Sequence, residues 1–177
     1  MDNRSVEAGV SQDNAKGLSM TYGLLTGLAM VIYSLVLYFT NVSMTSWLNY
    51  VVLAIFLVGV LLFCLAYSKS KDHDVTFGNV FKAGFRMVAL TTLVMLAWAI
   101  IAILVFPEMK EKSLEATQQQ LVKQKMSAEK IEETMTMTKD KYTLLTVMVV
   151  MFSNLFYGVV FSLIGAGITK KNKNKPY

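Results

Sequence analysis

The chain has 177 residues, 54% of them hydrophobic and only 16% charged, where a soluble domain carries about 25% charged residues. Its net charge of +5 does not point to nucleic acid, because the basic residues flank apolar runs instead of forming a stripe on a polar face. One cysteine, Cys64, excludes an internal disulfide and a Cys-rich metal cluster.

Residues 1–17 are polar and are expected to form a disordered cytoplasmic tail. From Leu18 to Ser68 no side chain is charged, and the only polar break is 41–46. Crossing a bilayer core of about 30 Å takes about 20 apolar helical residues, so this run holds two spans, 18–39 and 47–67. The first is too long for the apolar region of a secretory signal and lacks a convincing small-x-small cleavage site before a polar mature domain. It carries Ser19, Gly23 and Gly27 at four-residue spacing, a face that lets a neighbouring backbone approach closely. Cys64 lies in the second span, as a small core or lipid-facing residue.

Lys69 and Lys71 open the next connection. His73, the only histidine, stands between Asp72 and Asp74, and one imidazole without a second His or Cys is a poor ligand supply, so a solvated loop is expected. Residues 75–86 are amphipathic: Phe77, Phe81 and Phe85 recur every four residues, with Asn79, Lys82 and Arg86 on the other face. They are expected to form an interfacial helix, capped by Asp74 or Thr76, that turns into span three, 87–106. Lys69, Lys71, Lys82 and Arg86 are the candidate contacts for anionic lipid headgroups, although ordinary snorkelling accounts for them nearly as well.

Pro107 suits a break or a first helical turn. Residues 108–141 then read as a helical hairpin. Leu114 and Leu121, with Gln118 between them, mark one stripe; Ile131, Met135 and Thr138 mark another. Ser127 has the place of an N-cap, followed by Glu129, Glu132 and Glu133 near the positive end of the helix dipole. Met126 and Ile131 have the spacing of a hydrophobic staple. Each arm would be roughly 20–25 Å long.

Span four is 142–169, followed by the basic cytoplasmic tail 170–177. Asn154, Gly158, Ser162 and Ala166 repeat the four-residue spacing of small residues. An unsatisfied amide in hydrocarbon costs several kcal/mol, so Asn154 should face another helix, with Thr91, Thr92 or Tyr33 as partners. Internal packing is the expected use of both small-residue faces, and homodimer contact the second.

Four spans put both termini on one side. That side holds Arg4, Lys16, Lys69, Lys71, Lys82, Arg86, Lys170, Lys171, Lys173 and Lys175, whereas the 108–141 loop balances its charges. Cations near span ends stay cytoplasmic, so both termini are expected in the cytoplasm and the loop outside. Tyr38, Trp47, Tyr50, Tyr67 and Tyr142 sit near span ends, where amphipathic rings prefer the interface.

No Asp, Glu, Lys, Arg or His falls within the four hydrocarbon stretches, which counts against a proton-coupled transporter. Met135 and Met137 form a Met-x-Met pair of the kind that suits Cu(I), but residues two apart on a helix point away from each other. Asn41-Val42-Ser43 matches a glycosylation sequon set too close to the bilayer. No acid, base, nucleophile, metal set or cofactor site is nominated.

With the segments placed, the runs Tyr22-Gly23-Leu24-Leu25-Thr26-Gly27-Leu28 and Ser46-Trp47-Leu48-Asn49-Tyr50 resemble the family called domain of unknown function 4199. So do Val75-Thr76-Phe77-Gly78-Asn79-Val80-Phe81-Lys82-Ala83-Gly84-Phe85 and the stretch Met126 to Met137, and the likeness covers about residues 18–170. The resemblance implies a small bacterial inner-membrane protein of four spans, hence a periplasmic hairpin, and carries no catalytic residue over. The expectation is an all-α integral membrane protein whose partners are the lipid bilayer and another membrane protein or a second copy of itself. A non-enzymatic accessory or scaffold subunit of an envelope complex is the first functional reading. Passive transport or lipid handling along a path near Asn154 and Tyr157 is the alternative.

Overall fold

The structure, a computed structural model, describes residues 3–40 and 47–169, with side chains from Lys16 onward except that of Asn49. The 41–46 turn with its Asn41 sequon and the tail cations Lys170, Lys171, Lys173 and Lys175 lie outside the described residues, as does the side chain of Arg4. Among the described residues six α-helices follow one another, α1 (Asn3–Phe39), α2 (Tyr50–Lys69), α3 (Phe77–Val105), α4 (Pro107–Lys123), α5 (Ala128–Asp140) and α6 (Tyr142–Ile168), with a 3-10 turn, Trp47–Asn49, leading into α2. No strand occurs among the described residues. Among the described residues four helical stretches are long and apolar enough to cross a membrane: Lys16–Phe39, Tyr50–Lys69, Phe77–Val105 and Tyr142–Ile168.

Two boundaries differ from those read in the sequence. The leader is helical from Asn3 and continuous with α1. No proline interrupts it, and a helix already nucleated by an apolar segment extends at little cost per residue. The segment 75–86 is not a separate interfacial helix: α3 runs without a break for 29 residues from Phe77 to Val105. The phenylalanine spacing that marks 77–85 as amphipathic is also compatible with the face of a longer helix, and nothing at 86–87 ends it. Thr76 is its N-cap, accepting a hydrogen bond from the Asn79 backbone N–H at 3.3 Å.

The ends of α2 and α4 share one device. His73 N–H donates to the Ser68 carbonyl at 2.9 Å and Asp72 N–H to that of Lys69 at 3.1 Å. At the end of α4, Met126 N–H reaches the Leu121 carbonyl at 3.4 Å and Lys125 N–H that of Val122 at 2.9 Å. This is the Schellman arrangement, which places one residue in the left-handed region. Asp72 (φ 49°) and Lys125 (φ 56°) occupy that position, where glycine is usual.

The four long helices pack in the order α1, α2, α6, α3 and back to α1, with α2 and α3 also touching across the middle. Phe56, Val60, Phe63 and Cys64 of α2, Val80, Met87 and Val88 of α3 and Ala166 of α6 form the buried centre. Helices α4 and α5 touch each other, and Met135 is the one residue buried in α5. Pro107 stands at the first turn of α4, where its missing N–H leaves nothing unpaired.

Candidate functional sites at the helix interfaces and bundle ends

The small residues of α1 face α3. A Cβ placed on Gly23 would lie 2.9 Å from Leu90 Cβ and 3.0 Å from the Met87 carbonyl oxygen, and one on Gly27 would lie 2.8 Å from Val94 Cβ. The close approach at Gly23 brings Thr91 Oγ1 within 3.1 Å of the Gly23 carbonyl, to which it donates while also lying 3.2 Å from the Met87 carbonyl. Ser19 is buried on the same face.

The small residues of α6 face α2 and α3. Val88 of α3 fills the space over Gly158, and Cys64 Sγ of α2 would lie 2.6 Å from a Cβ on Gly165. Ser162 and Cys64 both lie against Gly84 of α3, at 3.1 Å and 3.4 Å from where its Cβ would stand. Ala166 is fully buried beside them, and Ser162 Oγ is buried without a hydrogen-bond partner among the described residues. Both small-residue faces therefore meet helices of the same chain. Thr26 of α1 against Gly59 of α2 makes a third close contact, which the sequence reading missed because Gly59 has no small residue four positions away.

Asn154 takes a different partner from those expected. Its side-chain amide donates to the Val150 carbonyl at 2.8 Å, one turn back on its own helix. Tyr33 donates to the Leu48 carbonyl at 3.1 Å and Thr92 to that of Val88 at 2.9 Å. The preceding turn of α6 already offers an acceptor to the amide, so no cross-helix partner is required.

At one end of the bundle, Tyr38 of α1 donates to a Glu108 carboxylate oxygen at 3.3 Å, and its ring lies 5.2 Å from that of Phe106. Lys112 Nζ stands 5.2 Å from the centre of the Tyr38 ring and Lys110 Nζ 5.4 Å from that of Tyr142. These contacts tie the start of α4 to the ends of α1 and α6. No spacing rule in the sequence signals them, since they join residues far apart in the chain, 70 positions in the case of Tyr38 and Glu108.

At the other end, Ser68 Oγ and His73 Nδ1 are 3.0 Å apart, within the loop that closes α2. Lys71 and Asp74 each have a partner within the chain. Lys69, Lys82 and Arg86 are exposed and form no ion pair among the described residues. Among these residues no three or more His, Cys, Asp or Glu side chains gather where they could hold a metal ion. Met135 is buried and Met137 exposed, as the two faces of one helix require; they do not converge.

Four long apolar helices closed on one another through glycine contacts, with two short polar helices at one end, define a helix bundle whose four long members are apolar enough to cross a membrane. The chain belongs to the family described as protein of unknown function (DUF4199), which it matches over residues 21–171. No curated protein and no solved structure matches it.

Proposed function

We propose that the protein is a multi-pass protein of a bacterial inner membrane, with both termini in the cytoplasm, and that it serves as a non-enzymatic accessory subunit of an envelope complex. The membrane reading is supported by the outer faces of the long helices. Leu93 is 62% exposed, Leu104 77% and Val149 63%, and apolar surface on that scale is a liability in water and the normal condition in lipid.

The observation that carries the accessory reading is the division of labour between the two parts. Gly23, Gly27, Gly158 and Gly165 are occupied by Leu90, Val94, Val88 and Cys64 of the same chain, so the bundle's small-residue faces serve to hold it together. The α4–α5 pair, read as a periplasmic hairpin, presents a polar stripe on α5 made of Glu129, Glu132, Glu133 and Asp140 with Met137 among them. That stripe is the part of the molecule offered to an envelope partner.

The test is photo-crosslinking in cells from Glu132 and from Met137, followed by purification in mild detergent through a tag on the protein. The expected result is a foreign envelope protein joined at these positions and absent when the crosslinker is placed at the buried Met135. Recovery of the protein alone, or with chaperones only, defeats the accessory reading.

A further inference from the structure

The start of α3 is longer than a bilayer span needs. Its 29 residues measure about 43 Å at 1.5 Å per residue, against a hydrocarbon core of about 30 Å. The apolar stretch from Met87 to Val105 is enough to fill that core, so the surplus of about 13 Å is the two and a half turns before it. Arg86 then stands at the hydrocarbon edge, with Lys82 one turn further out.

Those turns have two distinct faces. Val80, Ala83, Gly84, Met87 and Val88 are buried against the bundle. Lys82, Phe85 and Arg86 are exposed together on the opposite side, and Phe85 stacks on Phe81 with ring centres 6.4 Å apart. The first turn of α3 holds no acidic residue. Asp74, in the loop before it, already has a partner. Arg86 also lies within electrostatic reach of the Tyr67 hydroxyl of α2.

We propose that Lys82 and Arg86 form a binding site for the phosphate headgroup of an anionic phospholipid in the leaflet that surrounds the α2–α3 end of the bundle. This rests on the membrane reading above. Cations that merely snorkel extend from a span to water and select no headgroup. These two lie one turn apart, at headgroup depth and without a counter-charge among the described residues. Their charge suits one phosphate approached from the lipid side, with Arg86 able to donate two hydrogen bonds to it. Phe85, stacked on Phe81, lies at the depth where aromatic rings prefer the interface. Lys69 is at the same end of the bundle and adds to the field there, whereas Lys71 is engaged within the chain.

The full-length protein is reconstituted into phosphatidylcholine bilayers holding a minor fraction of phosphatidylglycerol. Flotation with the vesicles reports insertion, and native mass spectrometry counts the lipids retained by the released protein. The wild type is expected to keep phosphatidylglycerol well above its share of the bilayer. Lys82→Gln with Arg86→Gln is expected to lower that enrichment about tenfold or more at low salt. Lys82→Arg with Arg86→Lys should preserve it, and Lys110→Gln with Lys112→Gln, at the other end of the bundle, should leave it unchanged. Wild-type protein that floats but shows no enrichment overturns the site without recourse to any variant, and so does enrichment that survives the double glutamine change. Wild-type protein that does not float defeats the membrane reading itself, and the site with it.

Discussion

Glycine 23 and glycine 17 stand less than two turns apart on α1 and make opposite predictions. A methyl group on Gly23 meets Leu90 Cβ at 2.9 Å and the Met87 carbonyl at 3.0 Å. The second is backbone and cannot swing aside, so Gly23→Ala should push α1 away from α3 and lengthen the Thr91 hydrogen bond to the Gly23 carbonyl. Gly158→Ala drives a methyl into Val88, which is fully buried and has nowhere to go. Each is expected to destabilise the bundle by about 1–3 kcal/mol, the usual cost of overpacking. Gly17 has nothing within 4 Å of its Cβ position, and Gly17→Ala should stabilise by up to about 1 kcal/mol through helix propensity alone. Unfolding in mixed micelles with increasing denaturing detergent checks all three, and equal effects at Gly17 and Gly23 would remove the close-contact argument. At this scale the sequence was informative where a residue's role follows from its size. The spacing of Gly23, Gly27, Gly158 and Ser162 exposed the faces, because only small side chains permit such an approach. It did not give Asn154 its partner, since an amide accepts any carbonyl within reach and the preceding turn supplies one.

Helix ends show why boundaries were harder to read than helices. Thr76 and Ser127 both occupy N-caps with extended backbone (ψ 161° and 150°), but only Thr76 accepts a side-chain hydrogen bond, whereas Ser127 makes none. Thr76→Ala should therefore cost about 1 kcal/mol and Ser127→Ala only a few tenths. Hydrogen exchange of the first turns of α3 and α5 separates the two: exchange should quicken at Phe77–Asn79 in the first variant and stay as it was at Ala128–Lys130 in the second. The C-terminal ends of α2 and α4 carried no readable signal, because Asp72 and Lys125 take the left-handed position that glycine would have marked; that of α3 was marked by Pro107. The continuity of α3 escaped for a related reason. Amphipathic turns followed by an apolar run describe either a surface helix that bends into a span or one straight helix longer than the bilayer is thick. Composition alone does not choose between them; the absence of any break at Arg86–Met87 does.

At the scale of the whole molecule, contacts decide which ends lie together, and charge decides which side each end faces. Tyr38 against Phe106 and Glu108, and Lys110 against Tyr142, gather the ends of α1 and α3 with the starts of α4 and α6. Lys69, Lys82 and Arg86 stand at the opposite end, which the topology proposed above puts in the cytoplasm because cations beside spans tend to stay there. The α4–α5 pair should therefore face the periplasm. Cys64 makes this testable with little engineering: the only cysteine of the chain is buried between α2, α3 and α6, so the wild type should stay unlabelled by a membrane-impermeant thiol reagent. Met137→Cys places a thiol on an exposed position of α5, and Lys69→Cys places one at the other end of the bundle. In cells with a permeabilised outer membrane, Met137→Cys is expected to label fully and Lys69→Cys only after lysis. The reverse pattern would invert the protein in the membrane and move the α5 stripe into the cytoplasm. Equal labelling of both before lysis would mean that the four apolar helices do not separate the two ends at all, and the exposed leucines of α3 would then need a protein cover in place of lipid.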